Sequence, residues 1–94
     1  MAQPKRPDRW AAARAATTLM GAHEALGRVM PAPDAELSRW QVFYRVSVEV
    51  YARVAEVDRG HHHEALYWVQ REREKGEEIA RALAARSSGD GEGG

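Results

Sequence analysis

The sequence has no cysteine. Disulfide scaffolds, thiolate catalysis and cysteine-based zinc fingers are therefore excluded. It also has no surplus of either charge: 14 Lys+Arg stand against 14 Asp+Glu. Broad nucleic-acid binding draws on excess positive charge facing phosphates, so that class is not expected. The same balance leaves little repulsion to keep copies apart. Apolar runs are short, and none reads as a bilayer-spanning helix. The opening, "MAQPKRPDRWAAARAATTLMGA", is basic and then rich in small residues. Arg14 interrupts it, and Ala and Thr stand where a secretory leader carries Leu and Val, so no signal peptide is read and the cytoplasm is the expected location.

What is present fits a single small domain of 94 residues. A domain of that size hides only a modest fraction of its surface, and a deep enzyme cleft would consume much of its core. No Ser–His–Asp arrangement, phosphate loop or carboxylate pair stands out. The chain is read as non-enzymatic and without a cofactor.

Helical periodicity accounts for most of the chain. The expected fold is all-α, an antiparallel three-helix bundle over about 8–30, 34–59 and 61–86. A loose arm, 1–7, should precede the domain at 8–86, and "SSGDGEGG" marks 87–94 as a disordered tail with nothing to bury. Asp8 is a candidate N-cap for the first helix, and Asp34 for the second. Two overlapping stripes on the first helix, Trp10–Ala13–Thr17–Met20 and Ala16–Leu19–His23–Leu26, follow helical spacing. Pro31 and Pro33 end it, since neither can donate the amide that a continuing helix needs.

The second helix is apolar over most of its circumference. Trp40, Tyr44, Ser47, Tyr51 and Val54 form one row, and Val42, Val46, Val50 and Val57 another. Such a helix wants partners on more than one side. Its narrow polar stripe, Arg45, Glu49, Arg53 and Glu56, alternates in sign and is expected to pair along its own surface. In the third helix Leu66, Val69, Gly76, Ile79 and Leu83 are expected to face inward. Gly60 is the expected joint, in the left-handed geometry of a helix C-terminus. Gly76 costs about 1 kcal/mol against Ala in a helix; it either lets a neighbouring helix approach closely or is simply tolerated.

The stretch "GHHHEALYWV" resembles the second-helix opening of a tetratricopeptide repeat, with Gly60, Ala65 and Leu66 in matching places and Ala52 as the small residue of the preceding helix. Glu56 and Glu72 depart from the family's aromatic and small positions. The resemblance covers one hairpin and implies a helical-hairpin geometry with a leaning toward protein–protein binding. "HEAL" occurs at His23–Leu26 and again at His63–Leu66, but the flanking residues differ and no repeat is read.

The strongest chemical lead is "VDRGHHHEALYW". One reading is a metal or proton-sensing site made of Asp58, His61, His62, His63 and Glu64. The His-Glu-x-x-His spacing of zinc hydrolases fails, because Tyr67 stands at the second histidine's place. Successive side chains on a helix diverge by roughly 100°, so three adjacent imidazoles cannot face one ion. The other reading is an exposed polar helix start, at which protonated histidines would oppose the positive end of the helix dipole. His23, on an apolar stripe, is expected to be half-buried and held by a hydrogen bond. Large aromatics dominate contact energetics. The leading expectation is therefore a protein-interaction or regulatory module, paired with itself or with a protein partner, anchored by Trp10, Trp40, Tyr44, Val50, Tyr51 and Trp68. The alternative is a metal- or pH-responsive protein centred on the histidines.

Overall fold

The computed structural model describes residues 8–92, with side chains through Ser87. Among the described residues the regular elements are all helical. They are α1 (Ala11–Arg14), α2 (Leu19–Val29), α3 (Leu37–Val57) and α4 (His62–Glu92), with one 3-10 turn at Arg59–His61. The all-α expectation holds. The arm at 1–7 lies outside the described residues. So do 93–94 of the expected tail, while the backbone of 88–92 continues α4.

The first helix is not continuous over 8–30. It breaks between Arg14 and Leu19, where Thr18 takes an extended conformation and its side chain accepts from the Gly21 amide at 3.0 Å. This is an N-cap, which satisfies one of the donors that a helix start leaves over. A side chain at position 21 would reach within 2.9 Å of the Thr18 hydroxyl, so glycine keeps the cap open. The rest of the break is tied to α3. Arg53 donates to the carbonyls of Arg14 and, at 3.2 Å, of Ala16. Alanine propensity favours one long helix, but these tertiary bonds repay its interruption. The break also turns Met20 outward, 78% exposed, so the Trp10–Met20 stripe does not form a single face.

α1 runs along α3, with Trp10 against Phe43 and Arg14 on Glu49 at 2.9 Å. α2 then runs antiparallel to α3, with Leu19 beside Asp58 and His23 beside Tyr51. The Pro31–Pro33 linker is pinned by the Trp40 indole N–H, which donates to the Ala32 carbonyl at 3.1 Å. Asp8 accepts the Trp10 amide at 2.9 Å but is not the cap of α1, which begins at Ala11 after Trp10. Asp34 is not a cap: α3 begins at Leu37, after Glu36, which makes no side-chain cap bond.

α3 and α4 form an antiparallel hairpin in which Tyr51 stacks on Trp68 and Tyr44 lies beside Gly76. The joint is a break, as expected, but not of the expected kind. No glycine among the described residues has a positive φ; Gly60 sits in the 3-10 turn, and Asp58, at φ −102° and ψ 75°, ends α3. Of the two readings of Gly76 the structure supports close approach, since a Cβ there would lie 3.3 Å from that of Tyr44.

The core runs along both sides of α3. Val46, Val50, Val54 and Ala55 are buried in one cluster with Leu19, Ala22 and Leu26 of α2 and Ala65 and Val69 of α4. Each fully buried aliphatic side chain contributes about 1.5–3 kcal/mol. The expected excess of apolar surface on α3 is thus largely covered by the chain itself. Its charged stripe also pairs elsewhere than expected, with Glu49 and Arg53 both reaching across to the α1 end. The molecule is only 21 Å across its thinnest direction, about two helix diameters. α1 and α2 cover one face of the α3–α4 pair, and among the described residues nothing covers the other. No described helix is long and apolar enough to cross a membrane.

Candidate functional site

The histidine corner is built around Asp58. Its carboxylate accepts the Leu19 backbone amide at 2.9 Å and the His61 Nδ1–H at 3.0 Å. The amide bond, then the histidine, hold its pKa below the ordinary carboxylate value. His61 moves the opposite way: the bond to Asp58 and that residue's charge raise its pKa. This reverses the expectation that protonation at the helix start is penalised. Across a 3.0 Å contact, a full countercharge outweighs the fractional charge of a helix end.

The three histidines stand in three separate environments. His61 binds Asp58, and His62 donates from Nδ1 to the Ala55 carbonyl at 2.7 Å, closing one of the carbonyls left over at the end of α3. His63 is exposed, its ring 5.4 Å from that of His62. Among the described residues no group of three or more His, Asp or Glu side chains gathers where one metal ion could be held. Asp58, His61 and Glu64 do line one shallow cavity of about 300 Å³, together with His23 and Met20. His62 and His63 are not part of it.

His23 is half-buried and held by a hydrogen bond, as expected. Its Nδ1 and the Tyr51 hydroxyl share a hydrogen bond at 2.6 Å, and its ring meets the edge of Trp68 at 4.8 Å. Burial lowers the His23 pKa, partly opposed by Glu64. Burial also raises the Tyr51 pKa, so the phenol keeps its proton. Arg71 lies over the Trp68 ring at 5.1 Å.

Of the six anchor residues, Val50 and Tyr51 belong to the core of the single chain, each 3% exposed. They leave little surface to offer a partner. Trp10, Trp40, Tyr44 and Trp68 are half-buried and pack against that core.

The uncovered face brings together residues of α3 and α4 that the sequence reading had not joined into one site. A groove of about 360 Å³ runs between α3 and α4, floored by Tyr44, Val48, Gly76 and Ala80. Its rims are Arg45 and Glu49 on α3, and Arg73 and Glu77 on α4. Leu66, 43% exposed, shares a helix face with Arg73 and Ala80 by spacing and extends the apolar strip toward the corner. It was expected inward; Ala65 takes that place. Glu72 also lines the groove. It is only 6% exposed, and its Oε2 has no hydrogen-bond partner among the described residues. Burial raises its pKa, with Arg71 and Lys75 partly opposing. The Ser47 hydroxyl, buried on α3, is likewise unpartnered. A signal for Glu72 was present: it falls on the track Ala65, Val69, Gly76, Ile79 and Leu83, where a carboxylate is out of place.

Compared with protein-family models, curated proteins and solved structures, the chain gives no match.

Proposed function

We propose that the chain is a small, non-enzymatic interaction module that receives an amphipathic helix of a partner protein in the α3–α4 groove. The observation that carries this reading is Glu72. A buried carboxylate oxygen without a partner is costly, and among the described residues the only ion pair of the group is a loose one, from Arg71 to its other oxygen at 3.6 Å. It lies in an apolar-floored trough with charged rims, the form of a helix-in-groove receptor. A lysine or arginine on the apolar face of an incoming helix would reach Glu72 and offset that cost. Gly76 and Ala80 are small enough to let its backbone come close.

The test is a photoreactive amino acid placed at position 73 on the groove rim and, as a control, at position 24 on the opposite face. The expected result is one discrete protein adduct from position 73, none from position 24, and loss of the adduct in a Val48→Glu variant. The cross-linked segment should be helical and carry Lys or Arg. An adduct with the mass of two copies would make the occupant a second copy of this chain. Equal labelling from both positions, or none from position 73, would refute the groove as a docking site.

A further inference from the structure

A second concavity, of about 600 Å³, opens at the other side of the molecule, where the end of α2, the proline linker and the start of α3 meet the beginning of α1. Three arginines line it: Arg9, Arg28 and Arg39. No carboxylate does. In a chain with no net charge, three guanidiniums around one opening are a local concentration, and a concave low-dielectric wall focuses their field. Arg28 has one nitrogen engaged by Glu24 at 2.8 Å, on the solvent side of α2. Arg9 and Arg39 make no ion pair among the described residues. The residues before Arg9 include Lys5 and Arg6 and one carboxylate, Asp8, which accepts the Trp10 amide.

The remaining wall is apolar. Trp10, Val29, Met30 and Val42 line it, and Trp10 is braced from behind by Phe43, ring centroids 6.4 Å apart. The linker side is held in place by the bond from Trp40 to Ala32. The cavity therefore pairs a fixed apolar surface with adjustable cationic arms.

We infer that this cavity binds a phosphomonoester carried on an aromatic or apolar body, the phosphate taken by Arg9, Arg28 and Arg39 and the body laid against Trp10. Guanidinium forks match phosphate oxygens in pairs. A phosphomonoester carries about −1.5 to −2 at neutral pH, which balances three cations better than a single carboxylate does. A rival account is that the arginines only complement the negative end of the α2 dipole. It predicts loss of stability without any ligand.

The experiment titrates the chain at low salt with phenyl phosphate, inorganic phosphate, benzoate and phenol, following the Trp10 indole N–H by nuclear magnetic resonance. Saturable binding of phenyl phosphate is expected, with inorganic phosphate and benzoate weaker and phenol without effect. Arg39→Gln should weaken phenyl phosphate by about tenfold, the usual scale for one hydrogen bond to a charged group. Arg59→Gln, beyond the opposite end of α3, should leave it unchanged. Benzoate binding more tightly than phenyl phosphate would overturn the phosphate assignment. Shifts that do not saturate, an equal effect of Arg59→Gln, or a lower melting temperature for Arg39→Gln with no binding by any probe would overturn the site.

Discussion

The backbone amide of Leu19 donates to the carboxylate of Asp58, 39 residues further along the chain. The first residue of α2 is thus capped by the corner that joins α3 to α4. Because the same carboxylate accepts from His61, one side chain fixes three helix ends relative to one another. The stretch that attracted attention for its histidines is, in the folded chain, a structural joint.

Replacing Asp58 with Asn should lower the melting temperature at pH 7 and speed hydrogen exchange at the Leu19 amide. Its pKa is lowered in the folded state from an ordinary value of 3.8. The stabilisation is therefore complete above that value and lost as pH falls through the folded pKa. Below it, wild type and Asp58→Asn should melt together. A difference that persists there would mean that the charge is not what holds the corner.

His61→Gln tests the other half of the pair. The His61 pKa is raised above 6.5 in the folded chain. Its contribution is present below pH 6.5 and disappears as pH rises through the folded value. His23 is lowered from the same value, so its effect has the opposite sign: stability falls as the solution is acidified through 6.5. In wild type the two partly cancel. Denaturant melts of His61→Gln should show a steeper loss of stability from pH 8 to 6 than wild type, and the same stability at pH 8.5. A parallel pH profile would refute the pairing.

Gly76→Val should destabilise the hairpin by about 1–3 kcal/mol, the usual cost of forcing extra carbons into a packed contact. Even one Cβ would lie 3.3 Å from that of Tyr44, and the branched side chain must push α3 and α4 apart. Chemical denaturation reads the change directly. An unchanged midpoint would show that the helices do not pack this closely.

Glu72→Leu should raise stability by about 1–3 kcal/mol, because it removes a buried polar group with an unsatisfied oxygen. The gain should depend on pH. The Glu72 pKa is raised from 4.5 by burial, so the wild type suffers least below that value, where the acid is neutral, and the gap to a Glu72→Gln variant should open as pH rises. If the groove receives a basic helix, the stabler variant should also lose its adduct from position 73. Stability gained with the adduct retained would separate Glu72 from binding.

Helical spacing, the strong breaks at Pro31 and Pro33 and the absence of strand patterning were enough, from the sequence, to establish an all-helical chain and a break near Gly60. These are local properties, decided by each segment's own periodicity and backbone chemistry. The hydrogen-bonded state of His23 was also legible, since a lone polar residue on an apolar face has few other uses, whereas Gly76 fitted close approach and simple tolerance equally until Tyr44 was placed against it. What happens between Arg14 and Leu19 was not. Alanine-rich sequence favours a continuous helix, and only Arg53 and Asp58, each more than 30 residues away, supply the bonds that make the break cheaper than continuity. The same distance effect separated the three histidines, raised rather than lowered the pKa of His61, and buried Glu72 in a seam where its neighbours in sequence are solvated. Periodicity tells which residues share a face of one helix. Which face meets another helix, and with which charge opposite, is decided by the packing of α1 and α2 over one side of the α3–α4 pair and by the side they leave uncovered.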